Sequence, residues 1–389
     1  MTRTIGLLAS VGIAAGLFHP RDETRRTHCD AQGRASLHGR ASRTTAAAVA
    51  GAALAGAGCQ LGGDELHPPD TRGHPSLVLE QGPTRALVML PDAEQGWYRG
   101  TRFAWHGMIR QLEHHGHTYF GYLHDEHDPT HHDAVSGPAP EFDITGPASF
   151  HEVSPGQSFV KIGVGRLERD DNERYRFWHT YRILDSGQWE IEQPDARSVV
   201  MRQTLELGED GYAYELTQRM ELMDREPDRL AVTYELHNTG QRAIATEFYH
   251  HNFFNLGGAA IGPGYELRLP FPAEPDPDAE LGEYAELDSA GLGANAAALR
   301  WRDVLPDGEA VYLQPQGFDP EDREHHRVTL LHHDHRIGVL VLGDRPLHRL
   351  AVWASQPVIC PEPFVMIEVE PGQTERWATV YVFLTAEQE

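Results

Sequence analysis

The sequence predicts an all-β fold in which large antiparallel sheets stack as a sandwich or close as a barrel. Three observations carry this. Residues 212–222 alternate Tyr212, Tyr214, Leu216, Gln218, Met220 and Leu222 against Ala213, Glu215, Thr217, Arg219 and Glu221. That period of two marks a strand with one dry and one wet face. Leu230, Val232, Tyr234 and Leu236 repeat the pattern after the turn-forming Arg225-Glu226-Pro227-Asp228, so the two runs predict an antiparallel hairpin, closed downstream by Asn238-Thr239-Gly240. Near the end, Trp377, Thr379, Tyr381 and Phe383 alternate with Ala378, Val380, Val382 and Leu384. Apolar side chains on both faces place that strand inside a sheet rather than on its rim.

Taken in order from Ser76, further strands are expected at 77–79, 86–90, 107–112, 119–123, 174–184, 199–207, 266–269, 328–332, 337–342 and 347–353. A last pair, 364–369 and 375–384, is split by Pro371-Gly372. The only helical pattern is a short one around 291–299, and the proline- and acid-rich stretch 271–288 reads as a surface loop. There is no internal repeat and no break in composition between 76 and 389. Strand-rich chains with turn signals this dense form one sandwich or barrel.

Composition narrows the partners. The net charge is −25, and Lys161 is the one lysine among 33 basic residues. Such acidity argues against nucleic acid as a partner and for a self-repelling surface. With 23% charged and 40% hydrophobic residues the chain is ordinary for a protein with a core. Of three cysteines, Cys29 and Cys59 precede the strand-rich body, which leaves Cys360 alone and no internal disulfide framework. Cys360 reads as a small buried apolar group.

Residues 1–59 read as a leader and 60–75 as a linker, with 76–389 as a single domain. Residues 5–18 and the run ending at Cys59 are apolar, but both fall short of the roughly 20 residues that span a bilayer. A basic flank, a short apolar run and small residues before Cys59 have the order of a secretory leader, and a lipid on Cys59 would make the protein an anchored lipoprotein. Gly56 stands where leucine is usual in such cleavage boxes. A disordered Ala/Gly/Arg tail is the competing reading, and a misassigned start codon within residues 1–40 is a third. The expectation is export.

The most informative stretch is 245–257, ATEFYHHNFFNLG. On a strand, Glu247, Tyr249, His251 and Phe253 share one side, and Phe248, His250, Asn252 and Phe254 the other. A histidine among aromatic rings suits a sugar, whose apolar faces stack on rings while a polar tip meets hydroxyls. A core histidine held by backbone is the alternative. Near the C-terminus Glu362 stands between Pro361 and Pro363 after the apolar Val358-Ile359. A carboxylate on so stiff a backbone is expected to be partly desolvated, with a raised pKa, as a base near neutral pH requires. An exposed loop acid is the alternative.

The 245–257 block resembles the Asn-His-x-Tyr-Phe-Asn-Leu signature of the aldose 1-epimerases (galactose mutarotases). His251 falls in the histidine slot, His250 in the asparagine slot, and Phe253-Phe254-Asn255-Leu256 over Tyr-Phe-Asn-Leu. The segment through Glu362 resembles the end of the family pattern, where a glutamate follows an apolar strand. The resemblance implies a mutarotase-like super-sandwich in which Glu362 is the general base and His251 the acid that opens a sugar ring, with no cofactor. It extends to Tyr249, His250, Phe253 and Asn255 as substrate contacts. The stretch 131–143 loosely resembles the family's Leu-His-Gly-Gly…Gly-Phe-Asp block, but Ser136 stands in the slot of a second histidine, with His131 and His132 nearby; Ser136 and His132 join the expected substrate contacts. Arg102, in Gly100-Thr101-Arg102-Phe103, lies where the family often has a substrate-binding arginine. The missing histidine also fits a non-catalytic carbohydrate-binding protein on the same scaffold. A polysaccharide lyase ranks last, because the related lyases add a large helical toroid that this sequence lacks.

Residues 124–133, HDEHDPTHHD, carry donors that suit zinc or a harder divalent ion. The spacing follows no closed-site pattern, so a polar active-site loop or a solvated loop competes with a metal site, and no metal is expected. If His251 and Glu362 serve one reaction, they should face one pocket with their polar atoms about a sugar ring's width apart.

Overall fold

In the computed structural model the described residues are 66–385, apart from 172, 224–227, 290, 291 and 294. The expected leader, Cys29, Cys59 and most of the 225–228 turn lie outside them.

Among the described residues the strands form four antiparallel sheets. The largest has ten strands, in the order Ala285–Asp288, Ala297–Trp301, Tyr265–Leu269, Arg327–His332, Ile337–Gly343, Thr374–Thr385, Arg229–Asn238, Tyr214–Met223, Ser198–Leu205 and Gln188–Asp195. The second has five: Ala310–Leu313, Arg349–Ser355, Val358–Val369, Ile244–His251 and Ala139–Phe142. Smaller sheets are built from Ser76–Gln81, Thr84–Met89, Met108–His114 and His117–Thr118, and from Ser158–Lys161, Gly165–Glu168 and Ile183–Asp185. The fold is therefore all-β with large antiparallel sheets, as the alternation predicts.

The hairpin forms in the expected register: Leu216 faces Leu236, Met220 faces Val232 and Leu222 faces Leu230. Burial along Tyr214–Met223 alternates residue by residue. Each large apolar side chain so buried contributes roughly 1.5–3 kcal/mol. The Thr374–Thr385 strand is interior, with Arg229–Asn238 on one side and Ile337–Gly343 on the other. The five-stranded sheet lays one face on the ten-stranded sheet. Phe248 packs 4.9 Å from Tyr234 and 5.1 Å from Trp377, and Phe254 packs 6.2 Å from Tyr381. Its other face packs Ala139, Val358 and Cys360 into a second apolar cluster with Phe103 and Trp105.

Several expectations fail for identifiable reasons. The 174–184 stretch is strand only at Ile183–Asp185; upstream it is a loop whose Tyr175 and Tyr181 stack on each other at 5.4 Å. Residues 119–123 form no continuous strand, yet they track the 253–255 segment: Gly121 N–H donates to the Phe253 carbonyl and Asn255 N–H to that of Tyr119. The helical pattern at 291–299 gives way to the strand Ala297–Trp301, because pairing on both sides of that strand outweighs a weak local preference. The 271–288 loop is tied down at both ends, by buried Phe271 and by Ala285–Asp288 pairing. Leu66 is buried and Asp70 pairs with Arg110 at 2.9 Å, so the chain joins the folded body before Ser76.

Candidate functional site

Register brings His251 and Glu362 together. Ile244 faces Val369 and Phe248 faces Val365; continued, the same register sets Tyr249 opposite Phe364 and His251 opposite Glu362. The side chains obey it. Tyr249 stacks on Phe364 with centroids 3.9 Å apart, and His251 Nε2 lies 3.1 Å from Glu362 Oε1. Neighbouring strands extend these rows. Glu141 pairs with Tyr249 and Arg349 with Phe364, while Ala139 pairs with His251 and Ala351 with Glu362. Alanines on both flanks set the histidine and glutamate between two rows of larger groups.

Glu362 lies within the strand Val358–Val369, not after it. The two prolines are tolerated there because the ladder with Ile244–His251 stops at Phe248↔Val365, so no backbone bond on that flank needs their missing N–H groups. In that gap the Asn252 side chain donates to the Pro361 carbonyl at 2.6 Å. Phe253, with φ +46°, turns the backbone out of the strand straight after His251 and stacks on the imidazole at 4.1 Å. A phenylalanine in the left-handed region costs on the order of 1 kcal/mol, held by full burial of the ring.

The environment sets the proton affinities. Each of the two side chains is only 7% exposed. Burial pushes Glu362 up to about 8, against the attraction of Arg102 and Arg349. Burial, helped by the Arg102 charge, pushes His251 well below its ordinary value. His251 Nδ1 is buried and has no hydrogen-bond partner. Phe103 stands edge-on 5.7 Å from the imidazole, and Trp353 lies 6.1 Å away.

Arg102 lies near enough for its charge to act on both groups of the pair. Its Nε donates to Glu141 Oε2 at 3.0 Å, and Glu141 also accepts from the Tyr249 hydroxyl at 2.5 Å. The guanidinium sits 4.4 Å from the ring centroids of both Phe103 and Phe177. Burial opposes the charge, but Glu141 and Tyr249 outweigh it and raise the arginine's pKa. Behind Glu141 lies Lys161, fully buried, with Nζ 3.6 Å from Glu141 Oε1 and donating to the carbonyls of Phe142 and, at 3.0 Å, Asp143. Glu141 and Lys161 escape sequence reasoning because their strands, Ala139–Phe142 and Ser158–Lys161, are too short to show a period. The solitary lysine was the available signal.

Other expected contacts lie elsewhere. His250 points into the sheet interface, between the hydroxyls of Tyr234 at 2.7 Å and Tyr381 at 3.0 Å, and burial lowers it to about 3. Ser136 is buried and donates to the carbonyls of Gly121 at 2.7 Å and Arg110 at 3.2 Å. Asn255 holds the backbone of Ala259 and Pro357. These three are structural in their contacts and do not face the pair. His132 lies outside the pair, its ring 6.1 Å from Phe177. The expected sugar-ring gap is also absent: His251 and Glu362 touch.

No known family profile matches the chain, and no curated protein matches it in sequence. Solved structures do. A galactose mutarotase-like protein from Clostridium acetobutylicum is 11% identical, covering 80% of this chain and 96% of its own, with a TM-score of 0.48. One from Lactobacillus casei is 16% identical over 79% and 100%, at 0.45. Galactose 1-epimerase from Lactobacillus acidophilus is 13% identical over 80% and 98%, at 0.42. The chain is similar to galactose mutarotase-like proteins at low identity. Its chemistry must be argued from the His251–Glu362 pair itself.

Proposed function

We propose that the protein interconverts the anomers of a free sugar, or of an oligosaccharide reducing end, by acid/base ring opening at His251 and Glu362. The observation that carries this reading is a nearly dry imidazole–carboxyl contact of 3.1 Å whose proton affinities are pushed past each other. Burial keeps the pair neutral, with one exchangeable proton resting on Glu362. Its transfer to His251 gives a carboxylate base and an imidazolium acid, and Arg102 favours the carboxylate. The carboxylate takes the proton of the anomeric hydroxyl as the imidazolium protonates the ring oxygen, so the bond between that oxygen and the anomeric carbon breaks. Both groups return to their resting forms, the aldehyde rotates, and closure runs the same transfers backwards. The bound sugar must part the two side chains, and Phe103, Phe253 and Trp353 supply apolar surface beside them.

A second reading, a non-catalytic sugar-binding protein, is favoured by the direct contact, which leaves no ring-sized gap between the two groups. Polarimetry on freshly dissolved α-galactose and α-glucose separates the two. The expected result is acceleration by the wild type and loss of about 100-fold or more in Glu362→Gln. Sugar binding without acceleration would establish the second reading and overturn the first.

A further inference from the structure

A second group of side chains gathers on the 124–133 stretch. His124 Nε2 lies 2.8 Å from Asp133 Oδ1, and His131 Nδ1 lies 2.6 Å from the same oxygen. His132 Nε2 approaches the other carboxylate oxygen at 3.5 Å. The ring centroids of His124 and His131 are 4.8 Å apart, and those of His131 and His132 are 4.5 Å apart. Three imidazoles thus converge on one carboxylate. The arrangement gathers imidazole nitrogens and an anionic oxygen, the donor set that first-row divalent cations prefer.

We propose that His124, His131 and Asp133 bind a divalent cation of the zinc type, with a fourth position open to solvent and His132 beside it. One donor atom from each of the three ligands lies within 4.8 Å of the other two. A tetrahedral ion with ligand bonds near 2.0–2.1 Å needs donors about 3.3 Å apart, so shifts of less than about 1 Å convert the present contacts into a coordination shell. The side chains are 31%, 44% and 22% exposed, which gives an ion a route in and leaves room for a water ligand. Sequence spacing shows no closed-site pattern, as suits three ligands and an open position.

The loop that carries them is folded by its own bonds. Asp128 accepts from the Thr130 N–H at 2.9 Å and from its hydroxyl at 2.8 Å, and the His131 N–H returns to the Asp128 carbonyl. His127 stacks on Trp97 at 4.7 Å, bonds the Trp97 carbonyl through Nε2 at 2.7 Å, and meets the Tyr122 hydroxyl at 2.6 Å. The donors are therefore held in place rather than carried on free coil, and less ordering entropy opposes binding. The donor geometry does not rest on the sugar chemistry proposed above, and its test does not use turnover.

The test is isothermal titration of the full chain, stripped with a chelator, with Zn2+, and visible absorption after titration with Co2+. Wild type should bind one equivalent tightly and give the bands of four-coordinate Co2+. His124→Ala/His131→Ala should lose those bands and weaken that equivalent by more than the roughly 10–100-fold that loss of an outer partner costs. Asp133→Asn, which keeps shape and volume, guards against a folding defect and should weaken it too. His114→Ala/His115→Ala, altering the other histidine cluster, should leave it unchanged. Equal affinity and equal spectra in wild type, Asp133→Asn and the His124/His131 variant would overturn the proposal, as would loss confined to the His114/His115 variant.

Discussion

At the scale of single residues, Glu362 controls both the chemistry and a pH dependence of stability. Its folded pKa of about 8 is raised above the ordinary 4.5, so between those values the native carboxyl keeps a proton that the unfolded chain releases. That contribution is fully present below about pH 4.5 and is lost as pH rises through about 8. Glu362→Gln, which mimics the protonated acid, should leave stability nearly unchanged at pH 5. At pH 8 and above it should make the protein more stable than wild type, by an amount on the order of a few kcal/mol. Urea midpoints at the two pH values measure this; parallel profiles for variant and wild type would show that the carboxyl is not held in its protonated form. His251 titrates in the opposite sense, its depressed pKa costing stability as pH falls below about 6.5, and it is common to both proteins.

At the scale of elements, the parting of two strands makes the site. Ile244–His251 and Val358–Val369 pair from Ile244 to Phe248, separate around His251 and Asn252, and meet again where Phe254 bridges Ile359. Gly137 closes the gap from outside: a Cβ there would overlap the Asn252 carbonyl, with backbone atoms that cannot swing away. Gly137→Ala should therefore cost about 2–3 kcal/mol and lower Tm by several degrees, read by thermal unfolding. An unchanged Tm would mean that the Asn252 segment is not fixed against Gly137. This parting also explains what was legible beforehand. Alternation made the long paired strands readable, and period two correctly put Tyr249 and His251 on one side and His250 on the other. It could not show that the prolines beside Glu362 sit inside a strand, because that depends on a neighbour ending elsewhere in the chain. Nor could it separate 174–184, whose aromatic residues look like a strand, from a loop that delivers Phe177 onto Arg102.

At the scale of the whole molecule, two sheets share the labour. The ten-stranded sheet supplies the apolar floor, and the five-stranded sheet divides polar residues between its faces. His250 is satisfied inside by two tyrosines, and His251 is left on the opposite face with one nitrogen unpaired. Adjacent identical residues thus take opposite roles through the pleat alone. A motif read in isolation credits both with substrate contact. The fold class, the long alternating strands and the convergence of His251 with Glu362 were readable. The buried network behind Arg102 was not, since it joins residues 102, 141, 161 and 249 through topology rather than spacing.

That network hides the chain's one lysine. Every other side-chain cation is a guanidinium or an imidazole, so acylating reagents meet no side-chain amine on the folded surface. Attachment at Lys161 should proceed only as fast as the body opens, and mass spectrometry of its peptide becomes a clock for global unfolding. Rapid modification under native conditions would show that this corner opens locally. A binding partner that slows the clock would be one that grips the closed form.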